Sequence, residues 1–489
     1  MLCIAVAPVS RTLGMVDILN AAPQAELIEF RLDRLEKDPD IGQMIAVTDK
    51  PILISCRRKQ DGGDWADSDE ERLLLLRKAI VAGPAYIELE LDIARQVPRF
   101  GKTKRVISYT QLDKPLTNIE QIYEQCVACQ ADVVKLVGPT PTLEAAWPLL
   151  AAVSKKRDIP IVGMGLGEAG VMFSILGRKY GSPWIYAALE QGLEAFEGQI
   201  TVADLKAIYR FDEIGPQSRF VAVTGFSEND RATARVLNAG FSHLGINVRC
   251  LPLDFSRTDK FADKLEVLGV NVVLANPQLA ERILNLAETL DEPSRIAQYA
   301  DLVVKQKDGW YGYNTIWRSA LRCIEKELGA ANPEDRPLDK RNVMIVGSGG
   351  MARGIAYGVT RRKGLISITS ADDNEAKQLA GQFNARFVPM SHMYNTLCDV
   401  AIICDAGQSD MDNAATSRGD QARLNASFFR PGMVVCDLSD MPNDTRLMEE
   451  ARARGCRVVD SAEISGDHLM ATFKTVTGKD YAAAPVTGE

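Results

Sequence analysis

The sequence predicts an α/β fold: an N-terminal (β/α)8 barrel followed by a two-lobed α/β region whose second lobe is a Rossmann unit. Three observations predict it. Apolar runs alternate with amphipathic stretches over roughly the first 200 residues, the size of such a barrel. Three further strand-like runs follow a Gly-Pro break at Gly215-Pro216. An apolar strand then leads straight into Gly347-Ser348-Gly349-Gly350-Met351-Ala352. A chain of 489 residues suggests about three domains from length alone, and the boundaries read as 1–214, 218–335 and 336–489.

The barrel strands are expected at 2–7, 27–32, 51–56, 86–91, 105–109, 133–137, 160–164 and 184–189, with helices between them such as 69–82 and 143–156. Eight strands with helical crossovers close into a parallel barrel, where chemistry gathers at the carboxyl ends of the strands. Glu29, Arg31, Arg57, Glu88, Glu90, Lys135 and Gln199 all fall at that rim. Lys135 is the most informative of them. It sits inside Ala131-Asp132-Val133-Val134-Lys135-Leu136-Val137-Gly138, and a buried ammonium is costly unless it is paired or neutral. A desolvated lysine of depressed pKa is what imine chemistry on a ketone needs. Residues 1–242 contain no histidine, the usual proton shuttle.

Past the break, strands are expected at 220–224, 247–253 and 270–275, forming a small open α/β unit. Asp308-Gly309 reads as a turn, and a helix is expected over 316–328. The strand Asn342–Val346 and the loop after it form a G-x-G-x-x-A pattern opening a helix, with later strands at 365–369, 400–404, 434–438 and 457–459. Glycines there let the backbone approach a pyrophosphate, whose charge the helix N-terminus stabilises. Gly347, Gly349, Gly350, Met351, Ala352 and Arg353 are therefore candidate cofactor residues. A Gly-rich turn kept for packing in an empty Rossmann domain is the alternative. After the second strand of that unit, Thr369-Ser370-Ala371-Asp372-Asp373 offers carboxylates and no arginine. Asp372 would accept from a free ribose diol and repel a 2′-phosphate, so NAD is expected over NADP.

Composition bounds the partners. The chain is 46% hydrophobic and 25% charged, as in soluble globular proteins with sizeable cores. Its net charge of −8 disfavours nucleic acid and anionic membrane surfaces. No uncharged apolar run reaches the roughly 18 residues of a membrane span. Residues 1–8 lack a basic flank and a cleavage site, and read as a first strand rather than a signal peptide. Ten scattered cysteines fit buried thiols in a reducing cytoplasm. Cys126 and Cys129 form a C-x-x-C on a helical pattern without a second pair, so packing is expected there and no metal.

Glu29-Phe30-Arg31-Leu32-Asp33, Ile54-Ser55-Cys56-Arg57 with Asp61-Gly62-Gly63, Val133-Val134-Lys135, Gly181-Ser182 and Gly198-Gln199 resemble type I 3-dehydroquinate dehydratase, over about residues 1 to 212. The resemblance implies that Lys135 forms an imine with the substrate ketone. Glu29, Arg31, Arg57 and Gln199 would hold the substrate, a cyclic hydroxy acid. Three positions depart from the family. Its acid/base histidine aligns with Thr110, its carboxylate-binding arginine with Ser174 (Arg178 lies one helical turn on), and a loop serine with Ala195.

The second half, with Gly312-Tyr313-Asn314-Thr315 and Gly347–Arg353, resembles shikimate dehydrogenase. The whole chain thus resembles the bifunctional dehydroquinate dehydratase–shikimate dehydrogenases. Here the departures spread over the site. The family's proton-transfer lysine and aspartate align with Pro277 and Ile316, its paired serines with Arg231 and Thr233, an asparagine with Asp301 and a late glutamine with His468. Neither proline nor isoleucine carries a proton. The expected function is therefore a Schiff-base lyase fused to an inactive or altered dehydrogenase half. The alternatives left open are a non-catalytic sensor of a cyclic acid and NAD, a different imine reaction, and Lys135 as a purely structural partner of Glu29 or Glu88.

Overall fold

A computed structural model describes residues 1–36, 39–196, 198–255, 261–332, 335–405, 424, 426–441 and 443–481. The chain divides into two compact units, Met1–Arg257 and Thr258–Glu489.

The first unit holds eight parallel strands: β1 Leu2–Val6, β2 Leu27–Arg31, β3 Ile52–Ser55, β4 Tyr86–Glu90, β5 Lys104–Thr110, β6 Val133–Pro139, β7 Ile161–Leu166 and β8 Ile185–Ala187. Their order is β7-β6-β5-β4-β3-β2-β1-β8, a nearly closed barrel. All eight expected strands are present. The helices expected over 69–82 and 143–156 are observed as Asp69–Val81 and Leu143–Ser154. Ser68 and Glu71 start the first of these with a reciprocal capping box.

Alternation along each strand sorts the interior into layers. Cys3, Leu27, Leu53, Val106, Val133, Val162 and Trp184 belong to one buried apolar cluster. Tyr86 meets Trp184 edge-on across this layer, their ring centroids 5.3 Å apart. Two residues further along β2, β4, β5 and β6 the inward positions become Glu29, Glu88, Ser108 and Lys135, all buried. The apolar layer closes the bottom of the barrel and leaves the polar layer to face its carboxyl end. The Gly215–Ser218 break is a tight turn, closed by the Ser218 N–H on the Gly215 carbonyl at 3.0 Å. After it, β9 Arg219–Val223 and β10 Val248–Pro252 pair in parallel within the same compact unit.

In the second unit, β11 Val270–Leu274 pairs antiparallel with β13 Leu302–Gln306, which pairs antiparallel with β14 Gly309–Tyr313. The short β12 Thr289–Leu290 runs parallel to β14. The expected turn at Asp308-Gly309 is part of the β13–β14 hairpin, in which Gln306 and Gly309 are partners across a two-residue loop. Six parallel strands follow: β15 Asn342–Val346, β16 Leu365–Thr369, β17 Arg386–Phe387, β18 Val400–Ile403, β19 Val434–Asp437 and β20 Arg457–Val459. Their order is β17-β16-β15-β18-β19-β20. Strand order reverses on the two sides of β15, so the loop leaving β15 lies at the topological switch point where open α/β sheets bind ligands.

The helix Gly350–Arg361 that follows this loop packs on the helix Ile316–Glu327 through small residues. A Cβ on Gly358 would lie 2.5 Å from Trp317 Cε3 and 2.6 Å from Leu321 Cδ1, and one on Gly354 would lie 2.7 Å from Asn314 Nδ2. Helix spacing here depends on those missing methyl groups. Gly358→Ala is expected to destabilise the second unit by about 1–3 kcal/mol through overpacking, seen as a lower urea midpoint. An unchanged midpoint would mean that the helices re-space without cost.

Candidate active site

The polar layer of the barrel is a closed set of charges. Lys135 Nζ on β6 donates to Glu88 Oε2 on β4 at 2.9 Å and lies 3.5 Å from Glu29 Oε2 on β2. Arg57, just past β3, donates to Glu29 Oε1 and lies 3.5 Å from Glu88 Oε2. Ser55 Oγ also donates to Glu29 Oε1, at 2.7 Å. The four charged groups sum to zero, and each cation touches both carboxylates. Burial alone would raise the Glu29 carboxyl, but Arg57, Lys135 and Ser55 hold it well below the usual carboxylate range. The Tyr186 ring closes one side, its centroid 4.5 Å from Lys135 Nζ. Burial pushes the Tyr186 hydroxyl well above its ordinary pKa.

The structure brings Glu29, Arg57 and Lys135 together. Glu88, one of the two carboxylates weighed as a partner of Lys135, makes the shortest contact to it. Ser55 joins the set through Glu29, a partner that its motif did not assign. Arg31 is turned elsewhere: its guanidinium pairs with Asp33 at 2.6 Å and donates to the Gly62 carbonyl at 3.2 Å. Asp33 also accepts the backbone N–H groups of Arg57 and Asp64, so it ties the end of β2 to the Asp61-Gly62-Gly63 turn. Gly63 has to be glycine, because a Cβ there would lie 2.1 Å from the Arg57 carbonyl oxygen.

Gln199 lines a cavity together with Gly165, Phe173, Ser174, Tyr186 and Phe196. Its Oε1 accepts from the Ala195 N–H at 2.8 Å. Ser174 donates to the Tyr186 carbonyl at 2.9 Å. Arg178 does not reach into the barrel to replace the missing arginine. Its guanidinium donates to the carbonyls of Ile214 and Asp212, at 3.1 and 3.3 Å. Thr110 ends β5, two residues beyond Ser108, the strand partner of Lys135. By alternation it shares the inward face one step above the lysine. Glu90 leaves the central set and receives Arg72 Nη1 at 2.9 and 3.0 Å. Burial outweighs this pairing and pushes its carboxyl up to about 7.

In the second unit Gly347 adopts φ +123°, and a Cβ there would lie 3.0 Å from Asp405 Cβ. A Cβ on Gly349 would meet only Glu281 Oε1, at 4.0 Å, so its backbone is open to a ligand. Met351 and Ala352 are buried in the core and offer only backbone. Arg353 donates to the carbonyls of Ala297 and Ser348, at 2.6 and 3.1 Å. Sequence reasoning missed Glu281, which lies 69 residues from the loop it contacts. Its carboxylate accepts the Gly350 N–H at 3.0 Å and stands 3.4 Å from Arg353. An internal anion thus occupies the first turn of the helix, where a phosphate oxygen would be stabilised. Asp372 caps the helix Asp373–Gln382, accepting the N–H groups of Asn374 and Glu375 at 2.8 and 3.2 Å. Ser348 donates to Glu375 at 2.7 Å.

Pro277 follows β11, and Ile316 opens the helix after β14. The Ile316 N–H donates to Asp301 Oδ2 at 2.6 Å. Thr315 gives Asp301 both its N–H, at 2.9 Å, and its hydroxyl, at 2.7 Å. Thr315 Oγ1 also lies 2.9 Å from His468 Nε2. Arg231, in the first unit, is paired with Asp204. Among the described residues there is no group of three or more side chains that could hold a metal, and no helix long and apolar enough to cross a membrane.

The type I 3-dehydroquinase family matches residues 2–216. The chain is 23% identical over 476 residues to the chloroplastic bifunctional 3-dehydroquinate dehydratase/shikimate dehydrogenase of Arabidopsis thaliana, covering 93% of this chain and 78% of that protein. It is 30% identical over 202 residues to the 3-dehydroquinate dehydratase of Dehalococcoides mccartyi, covering 39% of this chain and 88% of that protein. It is also 26% identical over 263 residues to the shikimate dehydrogenase (NADP(+)) of Syntrophobacter fumaroxidans, covering 51% of this chain and 83% of that protein. With a barrel built around Lys135 and a second half matched along its length, the chain belongs to the family of bifunctional type I 3-dehydroquinate dehydratase–shikimate dehydrogenases.

Proposed function

We propose that the barrel forms an imine with 3-dehydroquinate through Lys135 and dehydrates it slowly, while the second half binds NAD in preference to NADP and has lost or altered shikimate oxidation. In this reading residues 1–214 are the dehydratase module, 218–335 the substrate-binding module and 336–489 the dinucleotide module, acting in the cytoplasm on small cyclic hydroxy acids. The observation that carries it is the Lys135–Glu88 contact at 2.9 Å inside a charge-balanced, water-poor layer.

To attack a ketone, Lys135 must pass a proton on, and Glu88 Oε2 is the acceptor within hydrogen-bond reach. The amine adds to the carbonyl carbon, and the carbonyl oxygen leaves as water when the imine forms. The imine then draws electrons from the neighbouring carbon, whose proton departs before hydroxide is expelled from the next carbon as a second water. Hydrolysis of the product imine takes one water back, releasing the unsaturated ketone and the free Lys135 amine. Gln199 lines the cavity beside Tyr186, and in this reading it would hold the ring and its hydroxyls together with Arg57 and Glu29. Arg31, tied to Asp33, would act through the Gly62 turn. Thr110 offers no acid/base capacity near neutral pH where a histidine would serve, and a general acid/base is worth a factor of roughly 10²–10⁴.

A bound dinucleotide would supply the hydride acceptor of the second half. Gly347, Gly349 and the Gly350 N–H would carry its pyrophosphate, with Met351, Ala352 and Arg353 fixing the helix start, and Asp372 would accept from the ribose diol. Glu281 has to leave the Gly350 N–H for this to happen. Its side chain is more than half exposed, so a swing outward meets little packing.

Intact-mass analysis of the chain mixed with 3-dehydroquinate and borohydride tests the barrel reading. A reduced adduct on the native chain, absent from a folded Lys135→Ala variant, is expected. An unmodified native chain would leave Lys135 as a structural ion-pair partner. For the second half, Glu281→Ala is expected to tighten NAD binding roughly tenfold, equivalent to ~1.4 kcal/mol, measured by calorimetry. Unchanged affinity would mean that the pyrophosphate does not use the Gly350 N–H.

A further inference from the structure

Pro277 and Ile316 cannot carry protons, yet ionisable groups do meet at the start of the helix Ile316–Glu327. Asp301 accepts three bonds there, from the N–H groups of Thr315 and Ile316 and from the Thr315 hydroxyl. A threonine hydroxyl has one proton, and this one is given to Asp301. Thr315 Oγ1 can then only accept from His468 Nε2, 2.9 Å away. That fixes the neutral imidazole as the Nε2–H tautomer and leaves Nδ1 as a bare acceptor. Nδ1 makes no hydrogen bond among the described residues. A proton arriving there creates an imidazolium whose Nε2 lies 3.8 Å from Asp301 Oδ1. The other charges around His468 come as opposed pairs between the two packed helices. Asp467 binds Arg322 at 2.7 Å, and Glu463 binds Lys326 at 2.6 Å, with the Cys323 thiol beside them. Asp301 is therefore the carboxylate left to act on the ring.

We propose that His468, oriented by Thr315 and Asp301, is the proton acceptor of the second half, its Nδ1 taking the hydroxyl proton of a cyclic hydroxy acid. In the oxidation of such an alcohol the O–H proton moves to Nδ1. The C–H bond breaks with its electron pair leaving as hydride to an oxidised nicotinamide dinucleotide, and the carbon–oxygen bond becomes a carbonyl. His468 would contact the substrate, whereas Thr315 and Asp301 are positioning residues. The inference rests on the hydroxy-acid reading of this half but needs no turnover to be tested.

Histidine ¹⁵N NMR on the full chain reads it directly, since the sequence has three histidines and His468→Gln identifies the signal. Shikimate is the probe. Its addition is expected to move the His468 Nδ1 resonance toward the protonated form while His243 and His392 stay still. Asp301→Asn should weaken that response to shikimate, and so should Thr315→Val, which serves as the second variant if Asp301→Asn does not fold. A His468 signal indifferent to shikimate, or an equal response in native and Asp301→Asn chains, overturns the proposal. Calorimetry with NAD separates the two readings. NAD binding without a His468 response sinks this inference alone. A His468 response without NAD binding sinks the dinucleotide reading and supports His468 as a hydroxyl-proton acceptor.

Discussion

Everything in the barrel is arranged around a constraint of electrostatics: two carboxylates and two cations share a space with almost no water. Glu29 and Glu88 come from β2 and β4, Arg57 and Lys135 from beyond β3 and from β6, so the set assembles only when the strands are in register. Removing one member would leave a buried charge uncompensated, a change of several kcal/mol in most proteins. The apolar layer beneath, from Cys3 to Trp184, keeps water from entering at the bottom. The arrangement that stabilises Lys135 also supplies its proton acceptor, because Glu88 is both the closest counter-ion and the nearest base.

In the proposed reading the two halves differ in kind. The barrel would keep a covalent nucleophile in Lys135 without a proton shuttle at Thr110. The second half has Pro277 and Ile316, which carry no protons, and brings Asp301, Thr315 and His468 together at a neighbouring helix start. Glu281 adds a further device, a carboxylate placed on the N–H that a phosphate would need. A ligand entering that loop competes with a tethered anion at very high local concentration, which weakens binding without altering the glycine framework.

Much of this was legible in the sequence. Alternation placed all eight barrel strands, and the isolated lysine within an apolar run marked β6 as the strand that carries a buried charge. The glycine loop between β15 and its helix was equally plain, because few other patterns run from an apolar strand straight into three glycines. Partner choice was not legible. Arg31 pairs with Asp33 two residues away, and Arg178 is held by carbonyls near Ile214; both depend on where backbone turns bring acceptors. The β11–β13–β14 antiparallel pairing was also hidden, since Leu302–Gln306 mixes apolar and polar residues and looks like loop. Glu281 could not be found by pattern, being 69 residues from its contact. Asp372 was expected at the cofactor from its position after β16, and its helix-capping bonds are an equally ordinary use of an aspartate at that place.

In this account the barrel retains imine capacity, and of its three departures from the family the threonine at position 110 limits turnover most. Steady-state dehydration of 3-dehydroquinate by the native chain and by Thr110→His tests it most directly. A gain of roughly 10²-fold or more in kcat, abolished when Lys135→Ala is added, is the predicted result. Turnover that stays flat in Thr110→His, although borohydride still traps the substrate on Lys135, would contradict the account.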